Sequence, residues 1–171
     1  SDFWMPAGYP SVLAVLRTIC DELVFTIGAQ HALGIVSGLL LVAAARRFGV
    51  PRPYHYLAGV VVWFGGDFIY FEHVLMTETL FIFCFSLCIY CTARSLQQQA
   101  GSVRWLLFAE LAAAATTLVR WNALFVLALP LLTAVVRGGP AWRQRVRTLA
   151  LAAAPAVLLL GSYVAFSSWQ G

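Results

Sequence analysis

Apolar runs long enough to cross a lipid bilayer dominate this sequence and constrain its fold more than any other feature. The hydrocarbon core of a bilayer is about 30 Å thick, so a crossing helix needs about 20 mostly apolar residues. Hydrophobic residues make up 61% of the chain and charged residues 11%, against about 25% charged residues in a soluble domain. We therefore predict an all-α, polytopic transmembrane helix bundle that forms a single domain over residues 1–171.

Six spans are predicted, several shorter than 20 residues and extended by flanking polar residues: Ile27–Ala45, Tyr56–Phe71, Leu75–Ala93, Trp105–Val119, Ala123–Val136 and Leu149–Phe166. Gly34 and Gly38 form a G-x-x-x-G pair in the first span, which lets another helix approach closely. Cys84, Cys88 and Cys91 lie along one stripe of the third span. We interpret them as small packing residues and not as zinc ligands.

The stretch Tyr9–Phe25, before the first span, is apolar but carries Arg17, Asp21 and Glu22. Charges at these positions make a further crossing costly. We expect an N-terminal amphipathic helix that lies in the membrane interface.

Arginine positions predict the orientation of the bundle. All eleven basic residues are arginines, and with the N-terminus outside, nine of them fall on the cytoplasmic side; Arg17 and Arg120 fall outside. This excess predicts that both ends of the chain are extracytoplasmic, and we expect a bacterial plasma membrane. Because the arginines are separated by apolar spans, we expect membrane lipid as a partner and no nucleic acid.

A cluster of titratable side chains interrupts the apolar sequence between the second and third spans: Asp67, Glu72, His73 and Glu78. A charged side chain at mid-bilayer costs at least about 2.5–3.5 kcal/mol, so such residues usually face a wet cavity or a partner. The cluster therefore predicts the polar lining of a membrane-embedded site.

Single charges elsewhere have structural as well as functional interpretations. Arg120 either extends to the outer headgroups or binds a phosphate with its paired N–H donors. Glu78 either stabilises the start of a helix or takes part in chemistry. For Glu110, inside the fourth span, we expect a local salt bridge to Arg104 or Arg94.

Carboxylates and imidazole near the outer turn also suit a divalent metal ion (Mg, Mn or Zn), with Glu78 and His73 as the first ligands and Glu72 beside them. His73 is alternatively a hydrogen-bonded interfacial histidine. Gln30 and His31 begin the first span at a similar depth, where they are either a packing pair or part of the site.

The sequence resembles the GT-C class of polytopic glycosyltransferases, which includes the protein mannosyltransferases and the aminoarabinose transferases. The resemblance rests on an ordered series of segments over nearly the whole chain: Met5–Leu16 with its Pro-Ala-Gly-Tyr-Pro, Gln30–Gly34, Ala44–Gly49, Glu72–Phe81 and Leu118–Leu124. The family's first membrane span and most of its first outer loop are missing here. We therefore expect a fragment of a longer membrane domain.

The resemblance implies transfer of a sugar from a polyprenyl-phosphate carrier to a glycan, lipid or protein acceptor on the extracytoplasmic side. It implies a catalytic group of Glu78, His73 and Asp2. Asp2, however, lies closer to the Pro-Ala-Gly-Tyr-Pro segment than the resemblance implies for the family's catalytic acid. It also implies a substrate-binding group, with Arg120 near the carrier phosphate: Arg120, Glu72, Tyr9, Gln30 and His31.

Two other functions are compatible with the sequence. Intramembrane acidic residues are typical of transporters and flippases, and discontinuous helices would favour that function. Gly65-Gly66 is the candidate break. A non-catalytic subunit of a membrane assembly is the third hypothesis, because the family's catalytic acid is missing from this chain.

Overall fold

The computed structural model describes residues 8–65, 77–97, 102–137 and 142–170, and no strand is present among them. This part of the chain forms seven α-helices: α1 Gly8–Ile19, α2 Leu23–Arg47, α3 Leu57–Phe64, α4 Thr77–Gln97, α5 Ser102–Val119, α6 Ala128–Arg137 and α7 Trp142–Gln170. Short 3-10 helices at Tyr54–Tyr56 and Trp121–Leu127 precede α3 and α6. The predicted all-α helical bundle is confirmed.

Three helices have the length and apolar composition needed to cross a membrane: Leu23–Arg47, Thr77–Gln97 and Trp142–Trp169. They correspond to the predicted first, third and sixth spans, and each continues into flanking polar residues as expected. Trp121–Arg137 is a shorter apolar helix, and α5 has 18 residues. That these two segments also cross the membrane stays a prediction.

The second predicted span does not form one helix over Tyr56–Phe71. Helix α3 has eight residues and ends at Phe64, where Gly65 takes an extended conformation with φ −66° and ψ 118°. Eight helical residues are about 12 Å long, which is too short to cross a bilayer. The remainder of the predicted span, from residue 66 onward, lies outside the described residues.

Helix α5 is the centre of the bundle, in contact with α4, α6, α7 and the start of α1. Most of its buried positions are alanine or threonine, with Ala113 and Thr116 fully buried. Small residues let neighbouring helices approach closely, which is how helices associate in a membrane. Cys88 of α4 packs into the same core, and Cys84 and Cys91 are also buried, so their interpretation as packing residues is confirmed.

Of the glycine pair in α2, Gly38 has the packing role that the spacing predicts. A Cβ atom at Gly38 would overlap the indole of Trp63, whose Nε1 donates to the carbonyl oxygen of Ile35 at 3.2 Å. On the other side, a Cβ at Gly59 would lie 2.7 Å from Val42 Cγ2. Helices α2 and α3 therefore contact each other at Gly38 of α2 and Gly59 of α3.

The helix directions give the bundle two distinct ends. The side chains of Arg47 and Gln97, the last residues of α2 and α4, are hydrogen-bonded, so these two helices run parallel. Helix α5 returns in the opposite direction and ends beside the start of α4, where Glu78 meets Arg120. We call the end with Glu78 and Arg120 the paired end, and the end with Arg47 and Gln97 the arginine end.

The predicted N-terminal helix is present as α1, but it is shorter than the stretch Tyr9–Phe25. It ends at Ile19, and α2 begins at Leu23. None of its residues is buried, and its apolar Ile19 is exposed. Arg17 and Asp21 form an exposed ion pair of 4.0 Å one turn apart. Helix α1 is thus a separate surface element, not an extension of the first span.

Candidate functional site

The carboxylate of Glu78 and the guanidinium of Arg120 meet at the paired end, although the two residues are 42 positions apart in the chain. Arg120 Nη1 donates to Glu78 Oε1 at 3.1 Å, and Thr77 Oγ1 donates to Glu78 Oε2 at 3.2 Å. The side chain of Arg120 is 39% exposed and that of Glu78 is 22% exposed. The pair is therefore reachable from outside the bundle, and the guanidinium has further N–H donors to offer.

Local structure explains how these two charges reach the same place. Glu78 lies in the first turn of α4, where the helix dipole favours a negative charge. Arg120 has an extended backbone, with φ −146° and ψ 115°, between the end of α5 and the 3-10 helix that follows. Its guanidinium lies 5.7 Å from the ring centroid of Phe81, which is one turn after Glu78 on α4. The carboxylate and the ring together hold the guanidinium in place.

The start of α1 brings Tyr9 to the same end. Gly8 lies against the last turn of α5, so closely that a Cβ atom there would be 2.8 Å from the carbonyl oxygen of Leu118. The hydroxyl of Tyr9 is buried and has no hydrogen-bond partner among the described residues. Burial raises the pKa of Tyr9, and the Glu78 carboxylate raises the same pKa further. The phenol therefore remains a neutral donor near the ion pair.

The structure thus brings together three predicted site residues from three elements: Tyr9, Glu78 and Arg120. Gln30 is buried and His31 is half-buried near the start of α2. The remaining predicted site residues, together with Asp67, lie outside the described residues: Asp2, Glu72 and His73. Their roles stay predictions.

Only Glu78 of the predicted metal ligands lies within the described residues. One of its carboxylate oxygens accepts from a guanidinium and the other from a hydroxyl. No group of three His, Cys, Asp or Glu side chains able to hold a metal occurs in the part of the chain that the structure describes. Among the described residues, Arg120 is the positive charge beside Glu78. The metal site with His73 and Glu72 stays a prediction.

Two aromatic contacts near the ion pair of Glu78 and Arg120 were not predicted from the sequence. Phe81 contacts Arg120, and its spacing of three residues from Glu78 was the available signal. Trp121, next to the ion pair, packs against Tyr163 of α7, with ring centroids 5.9 Å apart. No sequence pattern links Trp121 to Tyr163, because that contact depends on how α7 packs.

The expected salt bridge of Glu110 is wrong. Its side chain is 1% exposed inside α5, and it forms no ion pair with any described residue. Arg94 instead lies 4.6 Å from the ring centroid of Trp105 and donates to the hydroxyl of Tyr90. Arg94 is on a neighbouring helix and faces these aromatic rings, so sequence proximity to Glu110 was a poor guide.

A family model described as dolichyl-phosphate-mannose-protein mannosyltransferase matches residues 28–168, which is well over half of the chain. The chain belongs to this family. The matched range contains Glu78 and Arg120, whereas Tyr9 precedes it. Searches of curated proteins and of solved structures found no match.

Membership in the dolichyl-phosphate-mannose-protein mannosyltransferase family confirms the resemblance to GT-C glycosyltransferases. The chain is a membrane protein and belongs to a glycosyltransferase of the mannosyltransferase type. The family implies, in general, a lipid-linked sugar donor and a protein acceptor. It favours neither the transporter hypothesis nor that of a non-catalytic assembly subunit. Of the features expected for a transporter, the helix break at Gly65 is present.

Proposed function

We propose that the paired end binds the phosphate of a polyprenyl-phosphate-linked sugar and stabilises that phosphate as the leaving group in transfer to a protein hydroxyl. The observation that carries this proposal is the half-exposed guanidinium of Arg120, held in place by Glu78 and Phe81. The family name indicates mannose as the sugar and protein as the acceptor. We propose this pair of substrates for the full-length protein.

The reaction forms a bond between the acceptor oxygen and the anomeric carbon while the bond from that carbon to the carrier phosphate breaks. The bonding electrons remain on the phosphate, whose negative charge increases as it leaves. A guanidinium offers paired donors that match a phosphate, and stabilising a developing charge in a site of low dielectric is often the largest catalytic contribution. Arg120 is suited to this role because, among the described residues, a carboxylate engages one of its N–H donors, that of Glu78, and a guanidinium has five.

Glu78 acts as a positioning residue in this proposal. Its two oxygens are engaged by Arg120 and Thr77, so it orients the guanidinium and balances its charge before the donor binds. The acceptor hydroxyl must lose a proton to a general base elsewhere. Asp2, Glu72 and His73 are the candidates from the sequence for this proton transfer. Tyr9 donates its unpartnered hydroxyl to a phosphate or sugar oxygen.

We further propose that the paired end is extracytoplasmic. The alternating helix directions leave Arg120 and Arg17 near the paired end and direct the other arginines to the opposite end: Arg46, Arg47, Arg52, Arg94, Arg104, Arg137, Arg143, Arg145 and Arg147. An excess of arginine in short connections favours the cytoplasmic side. The bundle geometry supports the orientation predicted from the sequence.

Turnover by the full-length protein with a polyprenyl-phosphate mannose donor and an acceptor peptide tests the proposal. We expect Arg120→Ala to lower kcat/KM by about 10²–10³-fold, the size of effect found when a donor to a developing anion is removed. Arg17→Ala is the matched control, because Arg17 also pairs with a carboxylate but lies exposed on α1. We expect it to keep kcat/KM within twofold. Equal effects of the two variants, or near-normal turnover of folded Arg120→Ala, would contradict the proposal.

A further inference from the structure

A cavity of about 360 Å³ lies at the arginine end, far from the ion pair of the proposed active site. It is lined by Ala43, Arg46 and Arg47 of α2 and by Gln97 of α4. Glu78 and Gln97 lie near opposite ends of α4. They are 19 residues apart, which corresponds to about 28 Å along the helix axis. A ligand in this cavity therefore binds a different membrane face from the donor phosphate.

One wall of this cavity is held by several contacts. Arg47 Nη1 donates to Gln97 Oε1 at 2.8 Å, and Gln97 Nε2 donates back to the carbonyl oxygen of Arg47 at 2.5 Å. The guanidinium of Arg47 also lies 5.5 Å from the ring centroid of Tyr90. Because the side chain is already ordered by these contacts, a ligand loses less free energy in immobilising it.

The charge of the cavity is uncompensated. Arg46 is exposed, and its side chain forms no ion pair or hydrogen bond with any residue that the structure describes. Arg47 is bonded to a neutral amide, which leaves its positive charge unbalanced. After Glu78 the sequence contains a single acidic residue, Glu110, and that residue is buried inside α5. Two guanidinium groups line this cavity, and none of its described lining residues is a carboxylate, so the cavity selects an anionic ligand.

The surface beside the cavity is apolar, and part of it lies on the face of α2 that carries Ala43. Leu39 is 53% exposed, and it precedes Ala43 by four residues, so the two side chains are neighbours on one face of α2. Arg46 and Arg47 follow Ala43 by three and four residues on that face. Next to Gln97, Leu96 is 44% exposed. An acyl chain has an apolar path that leads directly to the two arginines.

We propose that this cavity is a binding site for the phosphate headgroup of an anionic phospholipid, whose acyl chains lie along Leu39. Basic pockets between helices at a membrane face are suited to phosphate headgroups. A soluble anion would use the arginines but would gain nothing from the exposed leucines.

Native mass spectrometry of the full-length protein released from nanodiscs tests this site, with phosphatidylglycerol and phosphatidylcholine as the two lipids. We expect preferential retention of phosphatidylglycerol. Arg46→Gln should weaken it about fivefold, the effect of one arginine near an anionic surface. Arg46 is the decisive variant because its exposed side chain forms no hydrogen bond or ion pair with a described residue whose loss would disturb folding. Arg47→Gln should weaken retention as well, and it additionally loses the Gln97 contact.

The matched control is the double variant Arg143→Gln/Arg147→Gln, which removes two exposed arginines at the start of α7 outside the cavity. We expect it to retain phosphatidylglycerol like the wild type. An equal loss in the control would mean that general surface charge holds the lipid and would overturn the site. Displacement of the lipid by millimolar inorganic phosphate would overturn the lipid assignment in favour of a soluble anion.

Discussion

Arg120 at the paired end and Arg47 at the arginine end are held by similar contacts. They differ in whether a carboxylate balances their charge. Each guanidinium lies near an aromatic ring, at 5.7 Å from Phe81 and 5.5 Å from Tyr90 respectively. Arg120 donates to a carboxylate, whereas Arg47 donates to the amide of Gln97. The first arrangement is balanced until an anionic substrate arrives, and the second is permanently positive. The two proposed anion sites therefore differ in the net charge that they carry before an anion binds.

The largest effect should come from exchanging the charges at the paired end. Arg120→Glu places two carboxylates together, and we expect a lower unfolding midpoint and loss of turnover. The double variant Glu78→Arg/Arg120→Glu should recover only part of the unfolding midpoint, because the first turn of α4 favours a negative charge. It should leave turnover about a hundredfold or more below wild type, because the guanidinium no longer faces the donor from its own position. Thermal unfolding and initial rates on the full-length protein measure both quantities. Recovery of turnover in the double variant would show that the ion pair is only structural.

The next largest effect concerns the contact that places Tyr9 at the paired end. Gly8→Val forces a side chain against the backbone at Leu118, and overpacking of this kind costs about 1–3 kcal/mol. We expect α1 to detach, so that trypsin cleaves after Arg17 several-fold faster and turnover falls.

Gly28→Ala is the matched control for this substitution, because a Cβ atom at Gly28 meets nothing within 4 Å. Alanine should raise helix stability by up to about 1 kcal/mol there. Unchanged cleavage and turnover in Gly8→Val would mean that the contact of α1 with α5 does not support the site.

A smaller effect is expected at the arginine end. Arg94 lies over the ring of Trp105 and donates to Tyr90, so Arg94→Gln should lower the free energy of unfolding by about 1 kcal/mol. Arg104→Gln, an exposed arginine at the start of α5, should change the unfolding midpoint very little. Turnover should stay within twofold in both variants. A large loss of turnover in Arg94→Gln would break the distinction between the two ends, since it would couple the arginine end to the chemistry.

The smallest effect is a pH dependence from Tyr9. Its pKa is raised in the folded state above the ordinary value of 10.0, first by burial and then by Glu78. A raised folded-state pKa contributes stability that is fully present below the unfolded value and is lost as the pH rises through the folded value. The wild type should therefore lose stability relative to Tyr9→Phe above pH 10.0 and not at pH 8. Unfolding midpoints of both proteins at pH 8 and 11 measure this, and parallel changes would show that Tyr9 is not buried near Glu78.

Much of the architecture was predictable because the helix signal is local. The long apolar segments predicted α2, α4 and α7, and Gly38 predicted a close helix contact without indicating Trp63 as its partner. The break at Gly65 was visible as a glycine pair, but the apolar run extended the predicted span through it. Sequence proximity also failed for Glu110, because helix packing determines which side chains face each other.

The sequence by itself determined that this chain is a helical membrane bundle and that most of its arginines lie in the connections at one side of the bundle. It also determined that Glu78 lies at the start of a helix and that Arg120 follows one. Hydrophobicity and helix-end preferences are properties of neighbouring residues, so they can be read from the chain. Only the tertiary structure decided that α5 is central, that Arg120 reaches Glu78, and that Arg47 is held by Gln97 beside an open cavity. These contacts join residues 42 and 50 positions apart, and the close packing of small side chains such as Ala113 brings their helices together.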